Sequence, residues 1–106
     1  MDDIAKLNDR FRRTGLDGQF DLSRGIASLP LADRQAILER VRGFDDFSED
    51  SDPFCVHEAG AFDFDGVGRV VWMIEYYDPT LNWHSENPSD PSQTVRVLTV
   101  KLASER

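Results

Sequence analysis

The chain has 106 residues, 20 acids against 12 bases and a formal net charge of −8, which excludes ordinary nucleic-acid binding because too few cations are present to displace phosphate counterions. A hydrophobic share of 40% excludes disorder and suits one folded domain spanning residues 1–106. The single cysteine, Cys55, excludes an intramolecular disulfide, and no apolar run approaches the roughly 18 residues of a membrane span.

In chain order, Ile4, Leu7 and Phe11 recur at helical spacing behind Asp2 and Asp3, whose charge suits a helix N-terminus. Arg12 and Arg13 fall in the last turn and Gly15 is the expected stop, so this helix should pack by its Ile4, Leu7 and Phe11 stripe. Gly18 to Ser23 alternates Phe20 and Leu22 with Gln19 and Asp21, the pattern of a strand, with a sheet-edge position expected. Pro30 then opens an amphipathic helix with Leu31, Ile37, Leu38, Val41 and Phe44 on one side, ended or bent at Gly43. Asp45 to Pro53 is polar and reads as a loop.

The second half is strand-like. Phe54 to Phe64 alternates loosely, and Asp65-Gly66-Val67-Gly68 signals a hairpin turn. Arg69 to Tyr77 is the strongest strand, with Val70, Trp72, Ile74 and Tyr76 on the face expected to meet the helices. A loop from Asp78 to Gln93 leads into a last strand at Val95 to Leu102. The expected fold is α+β: a two-layer domain with two helices packed on a mainly antiparallel sheet of about four strands.

Charge is unevenly spread. Residues 43–68 hold eight acids (Asp45, Asp46, Glu49, Asp50, Asp52, Glu58, Asp63 and Asp65) and no Lys or Arg. Such a strip suits a partner protein with a basic surface, and Trp83, in the Asn82-Trp83-His84 loop segment, is a candidate interface anchor. The expected protein-binding residues are therefore Asp45, Asp46, Glu49, Asp50, Asp52 and Trp83. A rival set is Asp52, His57 and Glu58, an imidazole with two carboxylates, which matches a metal site or the acid–base group of a small metal-dependent hydrolase. It lacks an H-x-x-x-H or H-E-x-x-H pair. On a strand, Cys55 and His57 would share a face, but the acids before Cys55 oppose a thiolate and favour a half-buried packing role. The acidic run has no internal Gly and does not reproduce a calcium loop, and Gly66-Val67-Gly68 is too short to cradle phosphate.

Leu7-Asn8-Asp9-Arg10-Phe11-Arg12, Ser23-Arg24-Gly25, Phe44-Asp45-Asp46-Phe47, Asp50-Ser51-Asp52-Pro53, His57-Glu58-Ala59-Gly60, Ile74-Glu75-Tyr76-Tyr77-Asp78 and Val97-Leu98-Thr99-Val100 together carry a resemblance. Over nearly its whole length the chain resembles a family of short uncharacterised alphaproteobacterial proteins, catalogued as a domain of unknown function and often encoded on plasmids and other mobile elements. The resemblance implies a bacterial source and brings no activity. Met1 to Lys6 lacks the basic start and apolar run of a signal peptide, so the expected location is the cytoplasm. The expected function is a non-enzymatic protein-binding module without a cofactor, in a sharper form an inhibitor or nucleic-acid mimic. The other alternative is a homo-oligomeric structural protein joined through a free sheet edge.

Overall fold

The computed structural model describes residues 3–105; Asp2, expected at the first helix's N-terminus, lies outside the described residues. Helix α1 (Asp3–Thr14) stops at Gly15, whose φ of 73° is the left-handed value a glycine adopts without strain. Strand β1 (Gly18–Leu22) follows, then a single-turn helix α2 (Arg24–Ala27) that the sequence pattern did not announce. Its N-cap is Ser23, whose hydroxyl oxygen accepts the Ile26 N–H. Helix α3 (Leu31–Arg42) starts after Pro30 and ends at Gly43.

Strands β2 (Ala59–Phe64), β3 (Gly68–Tyr77) and β4 (Val95–Leu102) form an antiparallel meander. The sheet order is β1-β4-β3-β2, with β1 on the edge and parallel to β4. The fold is thus α+β with a four-stranded, mostly antiparallel mixed sheet; the helices number three among the described residues, not two.

Two boundaries differ from expectation. Phe54 to Glu58 is not strand: Cys55 and His57 both have positive φ (54° and 56°), which breaks strand geometry and removes the shared face assumed for them. Cys55 is exposed rather than half-buried. Leu31, expected on the buried side of α3, is 59% exposed, because that helix packs through Ile37 and Val41.

Directly paired residues share a sheet face, so register assigns the two sides. Val70, Trp72 and Ile74 lie with Leu98, Val100 and Phe62 on the inner face, under Phe11, Ile26, Ile37 and Val41. This is the core expected of β3. The outer face carries Ala59 and Ala61 of β2, Val71, Met73, Glu75 and Tyr77 of β3, and Val97, Thr99 and Lys101 of β4. Glu105 ties the far end back to the beginning: its carboxylate accepts the Ser23 hydroxyl and the Gly25 and Leu102 N–H groups.

Candidate functional site

Helix α1 does not bury a purely apolar stripe. Its buried residues are Ala5, Asn8, Asp9, Phe11 and Arg12, while Ile4 and Leu7 are only half-buried. The polar members enter two linked hydrogen-bond systems. In the first, fully buried Arg12 donates to Asp9 at 2.9 Å and to the Val41 and Arg42 carbonyls at 2.9 Å each. Those carbonyls end α3, so a cation meets the negative pole of that helix. Burial lowers the Arg12 pKa, and Asp9 opposes the shift. The guanidinium also stacks over Trp72 and Phe47, 5.2 and 5.6 Å from their ring centroids.

Asp9 also receives the His57 ring at Nδ1, 3.0 and 3.1 Å from its two oxygens. A carboxylate only accepts, so Nδ1 carries the proton. His57 stacks on Phe47 at 4.1 Å, and its Nε2 faces Asp52 at 3.7 Å. The Asp52 carboxylate accepts the Val56 and His57 backbone N–H groups, which holds the 52–57 turn in its left-handed geometry.

The second system runs across the inner face. Arg96 donates from Nε to the Asn8 side-chain carbonyl at 2.6 Å and from Nη2 to the Pro88 carbonyl at 2.6 Å. The Asn8 amide donates to the Val56 carbonyl and the Tyr76 hydroxyl, which donates in turn to Glu58 at 2.8 Å. Burial pushes the Tyr76 pKa well up; Asn8 opposes this and Glu58 adds to it. Burial likewise lowers that of Arg96.

The expected site residues therefore separate. Asp52 and His57 come together, whereas Glu58 turns to Tyr76. Among the described residues no three His, Cys, Asp or Glu side chains converge on a point where a metal ion could be held. None of the five principal cavities is lined by Asp9, Asp52 or His57. The arrangement is a clasp joining α1, the end of α3 and the 47–58 segment.

Asp45, Asp46, Glu49 and Asp50 are exposed, and so is Trp83 at 74%. Asp52 is 7% exposed, so it braces the loop from inside and does not join the outward acids. The loop itself is closed by the Ser48 and Ser51 hydroxyls, each accepting the other's backbone N–H, and by the Asp52 N–H on the Ser48 carbonyl.

Asn8, Asp9, Arg12, Tyr76 and Arg96 were not among the expected site residues. The spacing of Ala5, Asn8, Asp9 and Arg12 is a helical stripe in its own right, and Arg96 sits in phase with inward Leu98 and Val100.

These features define a two-layer α+β domain whose helices cover one sheet face and whose acidic loop is clasped to the body. The chain belongs to the family described as "Protein of unknown function (DUF3768)", whose model matches residues 22–105. Helix α1, with the Leu7 to Arg12 stretch that contributed to the resemblance, precedes the matched span. No curated protein and no solved structure matches the chain.

Proposed function

We propose that this protein is a non-enzymatic binding module that docks on a basic surface of another protein through the exposed acids of its 45–50 segment, with Trp83 as an apolar anchor. The observation that carries this reading is the way the segment is held. Phe47, Asp52 and His57 are bound into the body, while Asp45, Asp46, Glu49 and Asp50 stand in solvent. A strip of like charge on a fixed support pays less ordering entropy on binding than the same charges on free chain. No helix among the described residues is long and apolar enough to cross a membrane. The resemblance to alphaproteobacterial proteins of mobile elements supports a sharper form of the proposal, an inhibitor that imitates the phosphate backbone for a DNA-handling protein.

The test is a pull-down from a bacterial host at low and high salt, with a variant carrying Asp45→Asn, Asp46→Asn, Glu49→Gln and Asp50→Asn. A near-stoichiometric partner lost in high salt and lost by the variant is expected. Equal capture by both proteins at both salt concentrations rejects charge-based docking.

A further inference from the structure

The outer sheet face is where the proposed docking acquires a shape. No helix among the described residues covers it: the helix contacts fall on the inner layer, and Met73, at the centre of β3, is 43% exposed. A groove of about 420 Å³ runs over this face between Ser51, Ala59, Ala61, Val71, Met73, Thr99 and Lys101. It continues past Ala59 and Met73 into a second hollow walled by Glu58, Glu75 and His84. A third hollow, sharing His84, is walled by Asp78, Trp83 and Glu86.

The path thus begins beside the acidic loop, at Ser51, and ends at Trp83. From Val71 to Tyr76 it follows five residue steps of β3, roughly 17 Å at a rise of about 3.3 Å per residue.

The two ends differ in chemistry. The floor at Ala59, Ala61, Val71 and Met73 is apolar, and small side chains on β2 keep it open. At the far end the Tyr77 ring stacks on His84 at 5.1 Å, and the two hollows that share His84 carry Glu75, Asp78 and Glu86. No Lys or Arg lines either far hollow. Aromatic faces among carboxylates favour a guanidinium or ammonium group. Of the outer-face bases, Arg69 is engaged by Asp63 at 3.2 Å, and Lys101 is at the opposite end.

We infer that this path seats one extended segment of a partner protein, with basic side chains at the Trp83–His84 end and an aliphatic side chain over Met73 and Val71. The inference rests on the docking function proposed above and assigns that docking a second contact surface. The size of the groove suits a segment of about seven residues, and its binding is weak and transient by area.

The probe is a synthetic eight-residue peptide alternating lysine with leucine, with a control in which glutamate replaces every lysine. Binding is followed by NMR shifts and by titration with the wild type, Met73→Lys, Trp83→Ala and the loop-neutralised variant. The expected result is shifts at Ala59, Ala61, Val71, Met73, His84 and Trp83 with the lysine peptide and none with the control. Met73→Lys, at an exposed site and checked for folding by circular dichroism, weakens binding about tenfold or more, a step of about 1.4 kcal/mol. Shifts confined to residues 45–50, with Met73→Lys binding normally, overturn the groove while leaving the acidic-loop function standing. Absence of any shift overturns it as well. Self-association that Met73→Lys abolishes overturns it in favour of a second copy of the chain.

Discussion

Replacing Arg12 by Met tests whether the clasp holds the fold together. The side chain is 0% exposed and serves three acceptors: Asp9 and the Val41 and Arg42 carbonyls. Methionine retains most of the volume, so the loss is electrostatic rather than a cavity. Asp9 then keeps the His57 ring as its hydrogen-bond partner, and two helix-ending carbonyls lose their donor. Breaking a buried pair by removing one member costs about 3–5 kcal/mol. At about 4 °C per kcal/mol for a domain near 100 residues, Tm should fall by about 12–20 °C. Arg12→Lys should recover only part of this, because an ammonium cannot fork to three separated acceptors. Adding Asp9→Asn to Arg12→Met should cost less than the two single losses summed, with a coupling of at least about 1 kcal/mol. Urea unfolding followed by circular dichroism measures the wild type, the three single variants and the double variant. A loss below about 1 kcal/mol for Arg12→Met would refute the view that this cation organises the joint between α1 and α3.

Three further outcomes are expected. Hydrogen bonds from Ser23, Leu102 and Gly25 lower the Glu105 pKa below its usual 4.5, so its stabilisation is present above that value and is lost as pH falls through the lowered one. Glu105→Gln should therefore depress Tm at pH 7 and converge on the wild type in strong acid; an equal gap at both pH values contradicts the linkage. Gly60→Ala would place a Cβ 2.6 Å from Trp72 Nε1 and 2.7 Å from the Phe44 ring, and such overpacking should cost about 1–3 kcal/mol in thermal unfolding and shift Trp72 fluorescence. Unchanged stability would mean the two rings move aside freely. Cys55→Gly should raise stability by up to about 1 kcal/mol, because a left-handed non-glycine residue costs roughly 1–2 kcal/mol and glycine's extra chain entropy returns only part of that. A lower urea midpoint would count against strain at this turn.

Wherever one periodicity dominated, the fold was legible in the residues. Val70, Trp72 and Ile74 alternate cleanly and were assigned to the core face, and Gly15 and Gly43 mark the ends of α1 and α3 as read. The parallel pairing of β1 with β4 was not legible, because register between distant strands depends on tertiary packing that local pattern does not encode. The clasp escaped for a related reason. Asn8, Asp9 and Arg12 look like solvent residues, and only their mutual satisfaction across α3, Val56 and His57 makes their burial tolerable. Asp52 was drawn into the acidic run by composition, though its backbone hydrogen bonds set it apart from Asp45, Asp46, Glu49 and Asp50. The Phe54 to Glu58 misreading has the same root: Cys55 and His57 sit in conformations that alternation cannot signal.

The sheet order also governs when the domain can exist during synthesis. β1 has one neighbour, and that neighbour is the last strand translated among those described; Ser23 and Glu105, bonded across this seam, are 82 residues apart in sequence. A nascent chain halted before Val95 leaves Phe20 and Leu22 with no strand to lie beside, and α2 with no β4 to cover. The β2–β3 hairpin has no such wait, since its partners are adjacent in sequence. The ribosome thus delivers the hairpin first and the seam last, so early apolar surface on the growing chain must be kept from aggregating until the final strand emerges.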